Sequence, residues 1–356
     1  MTDTHGESPT GPSAERLLAL IDAMAGRPVV LVADLVVDRF LTGTPKRISR
    51  EAPVLILAYQ GERIAPGGGA NAAANVVALG GRPLLLGAVG DDANGSDLLA
   101  DLVTRGIDTS GVLVRSGYRT PTKVRILGGG KHSIKQQIVR YDIEDQLELT
   151  DADRARFLAR LEAWRGEGGE APSTAILSDY GYGAVQPGFL PRLREALGAG
   201  STLLCDSRYR LGDFRGLDGA TPNEDEAEAL LGKAIEDAPE PLGEAGRALR
   251  GALGAGFLLV TRGSRGMSLF EERGAAHLPV YGTDQVADVT GAGDTVIGTF
   301  ALALAAGASP LEAALLANYA GGIVVMKMGT ATLSREELAL AVRSDRRPAE
   351  GIRWAG

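Results

Sequence analysis

At 356 residues with a formal net charge of −8, the chain is long enough for a substantial core and lacks the overall field that grips nucleic acid or an anionic membrane. No apolar run approaches the ~18 residues of a spanning helix and no charged-then-apolar leader opens the chain, so the expectation is a cytoplasmic protein with no nucleic-acid or membrane partner. Aliphatic residues outweigh aromatics and glycines punctuate the apolar runs, as in an α/β enzyme, and the single cysteine, Cys205, excludes an intramolecular disulfide and reads as core.

Residues 1–13 are rich in Gly, Pro, Ser and Thr without apolar periodicity and read as a mobile tail, which leaves 14–356 as one domain. Ser13 is positioned to cap a helix carrying Leu17, Leu18, Leu20, Ile21 and Met24, and 28–33 reads as the first buried strand. Further strands are expected at 83–89, 174–177, 201–205 and 257–261. Helices are expected near 70–79, 95–105, 151–164, 187–197, 224–231 and 242–253. This βαβ rhythm predicts a mostly parallel sheet covered by helices on both faces, with its ligand at the carboxyl ends of the strands. Two stretches, 38–65 and 112–142, contain no crossover helix and suggest a small β-sheet projecting as a lid, the alternative being a surface decoration.

The richest segment is Asp288-Val-Thr-Gly-Ala-Gly-Asp294, followed by a buried helical run. Gly291, Ala292 and Gly293 can turn successive N–H groups toward one point, and the helix adds the positive end of its dipole, an anion cradle. Asp294 beside it could take a proton from an attacking hydroxyl; on local physics a helix cap explains it equally well. A second cluster, Pro66-Gly-Gly-Gly-Ala-Asn-Ala-Ala-Ala-Asn75, allows close backbone approach and offers the Asn71 amide to sugar hydroxyls. No Gly-x-Gly-x-x-Gly follows the first strand and no Walker lysine loop is present. Carboxylates in Thr221-Pro-Asn-Glu-Asp-Glu-Ala-Glu228 suit a hydrated Mg²⁺ or, equally, a solvated helix start.

Together these segments resemble the PfkB, or ribokinase-like, carbohydrate kinases over about residues 28–340. The resemblance implies a ribokinase-like fold with a β-sheet lid, ATP as co-substrate with Mg²⁺, and Asp294 as the base. It implies that Asp38, Gly67, Gly68, Asn71 and Asp179 meet the acceptor, and that Asn223, Thr261, Gly263, Gly266, Asn318 and Arg208 meet the nucleotide. Asn223 and Glu226 match the family's Asn-x-x-Glu motif for indirect Mg²⁺ binding, and Asp288 and Thr290 match positions that hold a monovalent cation, K⁺, in several members.

Within the family the chain is similar to kinases that phosphorylate heptose 7-phosphate at the anomeric oxygen, on Asp34-Leu-Val-Val-Asp-Arg-Phe40, Arg47-Ile-Ser-Arg-Glu-Ala-Pro53, Ser178-Asp-Tyr180 and Val289 to Gly298. It departs from them at Tyr182 and at Asp206-Ser-Arg208, where lysines are usual, and the expectation is a kinase domain without the nucleotidyl-transferring domain of some relatives. A phosphorylated acceptor would call for cations over its distal phosphate. Lys123, Arg125 and Arg140 on the expected lid strands, with Lys46, Arg47 and Arg50, fit that need or else protect exposed sheet edges. The alternatives are a PfkB-type kinase for another sugar and a non-catalytic nucleotide-binding regulator; a homodimer through the lid is the assembly that exposed sheet edges suggest.

Overall fold

The run Pro28–Ala33 is apolar at every position and forms β1, buried on both faces. Its side chains alternate between two cores: Val29, Leu31 and Ala33 join one, Val30 and Val32 the other. The computed structural model describes residues 11–130, 135–167, 171–236, 238–282 and 286–355. The other strands are β2 (Leu35–Ile48), β3 (Leu55–Gly68), β4 (Arg82–Gly90), β5 (Val112–Arg115), β6 (Thr122–Gly128), β7 (Gln136–Ile143), β8 (Thr174–Asp179), β9 (Thr202–Ser207), β10 (Gly219–Ala220), β11 (Phe257–Thr261), β12 (Met267–Glu271), β13 (Gly274–Leu278) and β14 (Arg353–Ala355). The large sheet has the order β14-β13-β12-β11-β10-β9-β8-β1-β4-β5, parallel from β5 to β11 and antiparallel from β11 to β14.

Helices cover both faces. On one lie α1 (Ala14–Ala23), α2 (Gly69–Ala78) and α3 (Ala93–Thr104); the other carries α4 (Asp151–Gly166), α5 (Leu190–Leu197), α6 (Glu224–Leu231) and α7 (Pro239–Leu253). The first face is completed by α8 (Ala292–Ala305), α9 (Pro310–Val325) and α10 (Arg335–Ser344). Local sequence sets several starts: Ser13 caps α1, and reciprocal side-chain and backbone bonds begin α4 at Thr150/Asp153, α6 at Asn223/Glu226 and α9 at Ser309/Glu312. Among the described residues, no helix is long and apolar enough to cross a membrane.

A second sheet, ordered β3-β2-β6-β7, stands off the large one and forms the expected lid. Its boundaries correct the sequence reading. The first insertion is wider, 35–68, and the segment 112–115 is not lid: β5 pairs in parallel with β4 and closes one edge of the large sheet. The antiparallel strands β12 to β14 were not foreseen. Residues 1–10 of the expected tail lie outside the described residues, whereas Pro12 and Ser13 are anchored, Pro12 accepting a hydrogen bond from Arg346 at 2.6 Å. Cys205 is buried in β9, as expected.

Candidate active site

The strands β1, β8 and β9 end together, and α8 starts above them. Its first turn decides between the two readings of Asp294. The helix is capped by Gly291, at φ +79°, with no side-chain cap, so Asp294 is three residues inside and does not cap. Its carboxylate instead receives the Tyr180 hydroxyl at 2.7 Å on Oδ1 and the Asn71 amide at 3.1 Å on Oδ2. Burial pushes its pKa up to about 7, against the pull of those two donors. A carboxylate poised there, next to a helix N-terminus, is suited to accept a proton from a hydroxyl.

Around the turn the N–H groups of Gly291, Gly293 and Asp294 have no hydrogen-bond partner among the described residues, while that of Ala292 reaches Val289 O at 3.3 Å. The N–H groups free at the turn are thus those of Gly291, Gly293 and Asp294, whereas the expected set was Gly291, Ala292 and Gly293. Gly291 is required twice over: a Cβ there would sit 2.5 Å from Asn71 Nδ2, in a backbone conformation that disfavours side chains.

Asn71 corrects the expectation of a sugar ligand. Its amide nitrogen is shared by Asp294 Oδ2 and Gly291 O, both at 3.1 Å, and its oxygen accepts from Asn75 at 3.2 Å, so it braces the Asp294 carboxylate. Gly67 is needed for close approach, since a Cβ there would lie 2.8 Å from Asp38 Oδ2; Gly68, at φ +57°, lets the chain pass Tyr180. Asp38 itself is buried in β2, its Oδ1 paired with Arg125 and its Oδ2 accepting from Thr330 Oγ1 at 2.8 Å.

Two buried carboxylates hold the loop that carries Tyr180. Asp34 accepts backbone N–H groups from Tyr180 and Tyr182 at 2.9 Å and Ala184 at 2.8 Å, yet burial still raises its pKa to about 6. Asp179 pairs with Arg210 at 2.6 Å and receives the Ser207 hydroxyl at 2.6 Å and the Gly181 amide at 3.1 Å. Its carboxylate is spent on the scaffold, which corrects its assignment to the acceptor. Tyr182 reaches Glu144 at 3.0 Å, at the foot of the lid.

Over this floor the lid presents one face. In its register Lys123 lies opposite Asp38, and Arg125 lies opposite both Phe40 and Arg140; Phe40 in turn faces Arg63. The Phe40 ring lies between two guanidinium groups, Arg63 at 4.5 Å and Arg125 at 5.4 Å from its centre. Arg63 was missed in the sequence because only strand pairing reveals its face, and it has no ion pair among the described residues. The Lys123 ammonium is 5.0 Å from the Tyr180 ring centre, and burial lowers its pKa while Asp38 and Asp294 pull it back. Arg140 shares the face but is exposed and bound to Asp142 at 2.9 Å. Lys46, Arg47 and Arg50 lie beyond Gly43, the last β2 residue paired with β6, and are exposed at the hairpin tip, which removes them from the site.

On the other side of Asp294, Asn223 forms a lone bridge with Thr261, bringing two expected nucleotide residues together. Asn223 and Glu226 satisfy each other's backbone at 2.9 and 2.8 Å, so the run is a capped helix start in which Glu226 bonds through Oε2. Asp206, unremarked in the sequence, stands between the halves. Its Oδ2 is 3.9 Å from where a Gly293 Cβ would be, and burial together with Glu226 and Asp294 raises its pKa. Exposed Arg208 acts on Asp206, Glu226 and Lys123 and stacks on Tyr209 at 5.8 Å. Among the described residues no three His, Cys, Asp or Glu side chains converge on a metal; Asn223, Glu226 and Asp206 are the polar side chains on this side that could meet a hydrated Mg²⁺.

Four more of the expected ligand residues serve the scaffold or face open space. Gly266 makes the β11–β12 turn, where a Cβ would lie 2.1 Å from Leu278 O, while Gly263 faces open space. Asn318 is buried and donates to Pro279 O at 2.8 Å. Asp288 accepts N–H groups from Thr290 at 2.9 Å and Gly329 at 3.0 Å, tying the glycine turn to the loop that carries Thr330.

Comparison with known proteins places this arrangement. The family model for pfkB family carbohydrate kinases matches residues 29–157 and 211–337. The chain is 39% identical over 336 residues to a Bifunctional protein HldE of Mesorhizobium japonicum, covering 93% of this chain and 65% of the relative. It is 41% identical over 321 residues to that of Chromohalobacter salexigens, covering 89% and 64%. The chain therefore spans just under two thirds of the length of these curated relatives. In fold it is similar to the Escherichia coli phosphofructokinase-2 solved with potassium, at TM-score 0.70 and 18% identity, covering 89% of this chain and 98% of that one. It is also similar to the Arabidopsis thaliana ribokinase solved with ribose and ATP, at TM-score 0.68 and 20% identity, covering 90% and 100%. The chain belongs to the pfkB family and is an ATP-dependent carbohydrate kinase with the ribokinase-like fold.

Proposed function

We propose that this kinase acts on a sugar that already carries a remote phosphate, phosphorylating heptose 7-phosphate at the anomeric oxygen to give the 1,7-bisphosphate. The observation that carries the reading is the lid face: Arg63 without an ion pair, Lys123 over Tyr180, and both on the side that holds Asp38. Arg63 is two residues from Ala65, which faces Asp38, an offset of about 7 Å along the strand that matches a sugar phosphate lying from base to lid. The relatives support the same substrate, since HldE combines a heptose kinase with an adenylyltransferase.

In this reading the acceptor lies between Asp38 and Asp294. Asp294 takes the hydroxyl proton as the oxygen bonds the γ-phosphorus and the bond to the β-phosphate oxygen breaks, leaving ADP. The free amides of Gly291, Gly293 and Asp294 stabilise charge on the transferred group. Thr261 and Gly263 border the nucleotide. Glu226 and Asp206 would hold Mg²⁺ through water, and the ion would supply charge neutralisation on the phosphates.

Arg63→Ala tests the clamp. It is expected to raise KM for heptose 7-phosphate about tenfold or more, through loss of a charge-assisted contact, with kcat and the KM of the unphosphorylated sugar little changed. Equal effects on both sugars would remove the phosphate from the lid.

A further inference from the structure

Asp294 holds two donors, and one of them is an aromatic hydroxyl from a separate element. We propose that Tyr180 is a positioning residue of the reaction: its phenol fixes the plane of the Asp294 carboxylate toward the acceptor and favours the anionic form of that base. The proposal rests on Asp294 being the base.

Tyr180 is itself held on every side. Its amide is tied to Asp34 at 2.9 Å, its ring is covered by the Lys123 ammonium at 5.0 Å, and its Cδ2 lies 3.3 Å from where a Gly68 Cβ would be. A phenol so fixed cannot follow a wandering carboxylate, so the carboxylate follows it. With Asn71 on the other oxygen, Asp294 is pinned by donors from α2 and from the loop after β8, leaving its remaining lone pairs for the incoming hydroxyl.

The charges around Asp294 explain why a donor is needed. Asp38 from β2 opposes its ionisation and Lys123 from β6 favours it, while Asp206 from β9 is a further carboxylate close by, with Arg208 beyond. Burial is the largest influence and favours the neutral acid. A hydrogen bond to the charged form is the direct remedy. The phenol is a dependable donor here because burial and Asp294 hold its own pKa well above the usual tyrosine value.

Tyr180→Phe keeps the ring, its cover and its loop, and removes only the hydroxyl. The acid limb of kcat/KM is expected to move up by about one pH unit, so that turnover below neutrality falls about tenfold more than turnover at pH 9, with KM little changed. Replacing Tyr180 by 3-fluorotyrosine, a stronger donor, should move the limb the other way. A merely structural role would lower turnover by the same factor at every pH and leave the limb unmoved in both variants, which overturns the proposal. Asp294→Asn measured alongside separates the two failures. If it retains turnover, the base assignment falls and this proposal with it; if it is inactive while both Tyr180 variants keep the wild-type limb, only the role of Tyr180 falls.

Discussion

Asp294→Asn is expected to slow phosphoryl transfer by ~10²- to 10⁴-fold, the usual worth of a general base, while ATP and sugar still bind. The same change should alter stability in a direction set by pH. In the folded chain the Asp294 pKa is raised from 3.8 to about 7. Between those values the unfolded chain is ionised and the folded one holds the proton, so wild-type stability from this group falls as pH rises from about 4 to 7 and stays low above. A shift of about 3 units corresponds to about 4 kcal/mol, an order-of-magnitude figure for a fully buried carboxylate. Asparagine does not titrate. It also faces the Asn71 amide with its own, a cost that does not depend on pH. The stability of the variant relative to wild type should therefore climb between about pH 4 and 7, whatever its absolute offset. Parallel Tm curves would mean that Asp294 is not buried as an ionisable group; a wild-type single-turnover rate would remove it from the chemical step.

Asp34→Ala should be the most destabilising single change near the site. It strips three buried N–H groups of their acceptor, and each unsatisfied donor costs about 1–3 kcal/mol, so a loss of about 3 kcal/mol or more is expected. The loop from 180 to 184 would lose its anchor, and the Tyr180 hydroxyl its fixed relation to Asp294, so kcat should fall together with the urea midpoint. Asp34→Asn keeps two of the three bonds on one oxygen and turns its amide against the third N–H, which places it between wild type and Ala. An unchanged midpoint for Asp34→Ala would show that water replaces the carboxylate.

Much of this architecture was legible where one local signal sufficed. The continuous apolar run of β1 gave that strand its observed bounds, and the helix expected at 224–231 and the strand expected at 257–261 match α6 and β11. The glycine turn before α8 was legible because Gly291 and Gly293 stand directly before a long apolar helical run. What remained hidden depends on partners distant in the chain. Val112–Arg115 reads like a lid strand until its pairing with β4 is known. Asp34 and Asp179 look alike as single carboxylates at strand ends, and only their donors reveal that both brace a loop. Asn71 has the chemistry of a sugar ligand and is spent on the base; Arg63 has the look of an edge-strand charge and lies over Phe40. Each of these depends on register or on fold closure, which composition and spacing do not encode.

In the proposed reaction this site transfers the γ-phosphate of ATP to the anomeric oxygen of a sugar that already bears a phosphate. Following ³¹P NMR of the protein with ATP, Mg²⁺ and heptose 7-phosphate tests it directly. The expected result is ADP together with a new phosphate signal coupled to the anomeric proton, the 7-phosphate signal remaining in place. A new phosphate on any other carbon, or faster ATP consumption with an unphosphorylated sugar than with heptose 7-phosphate, would contradict it.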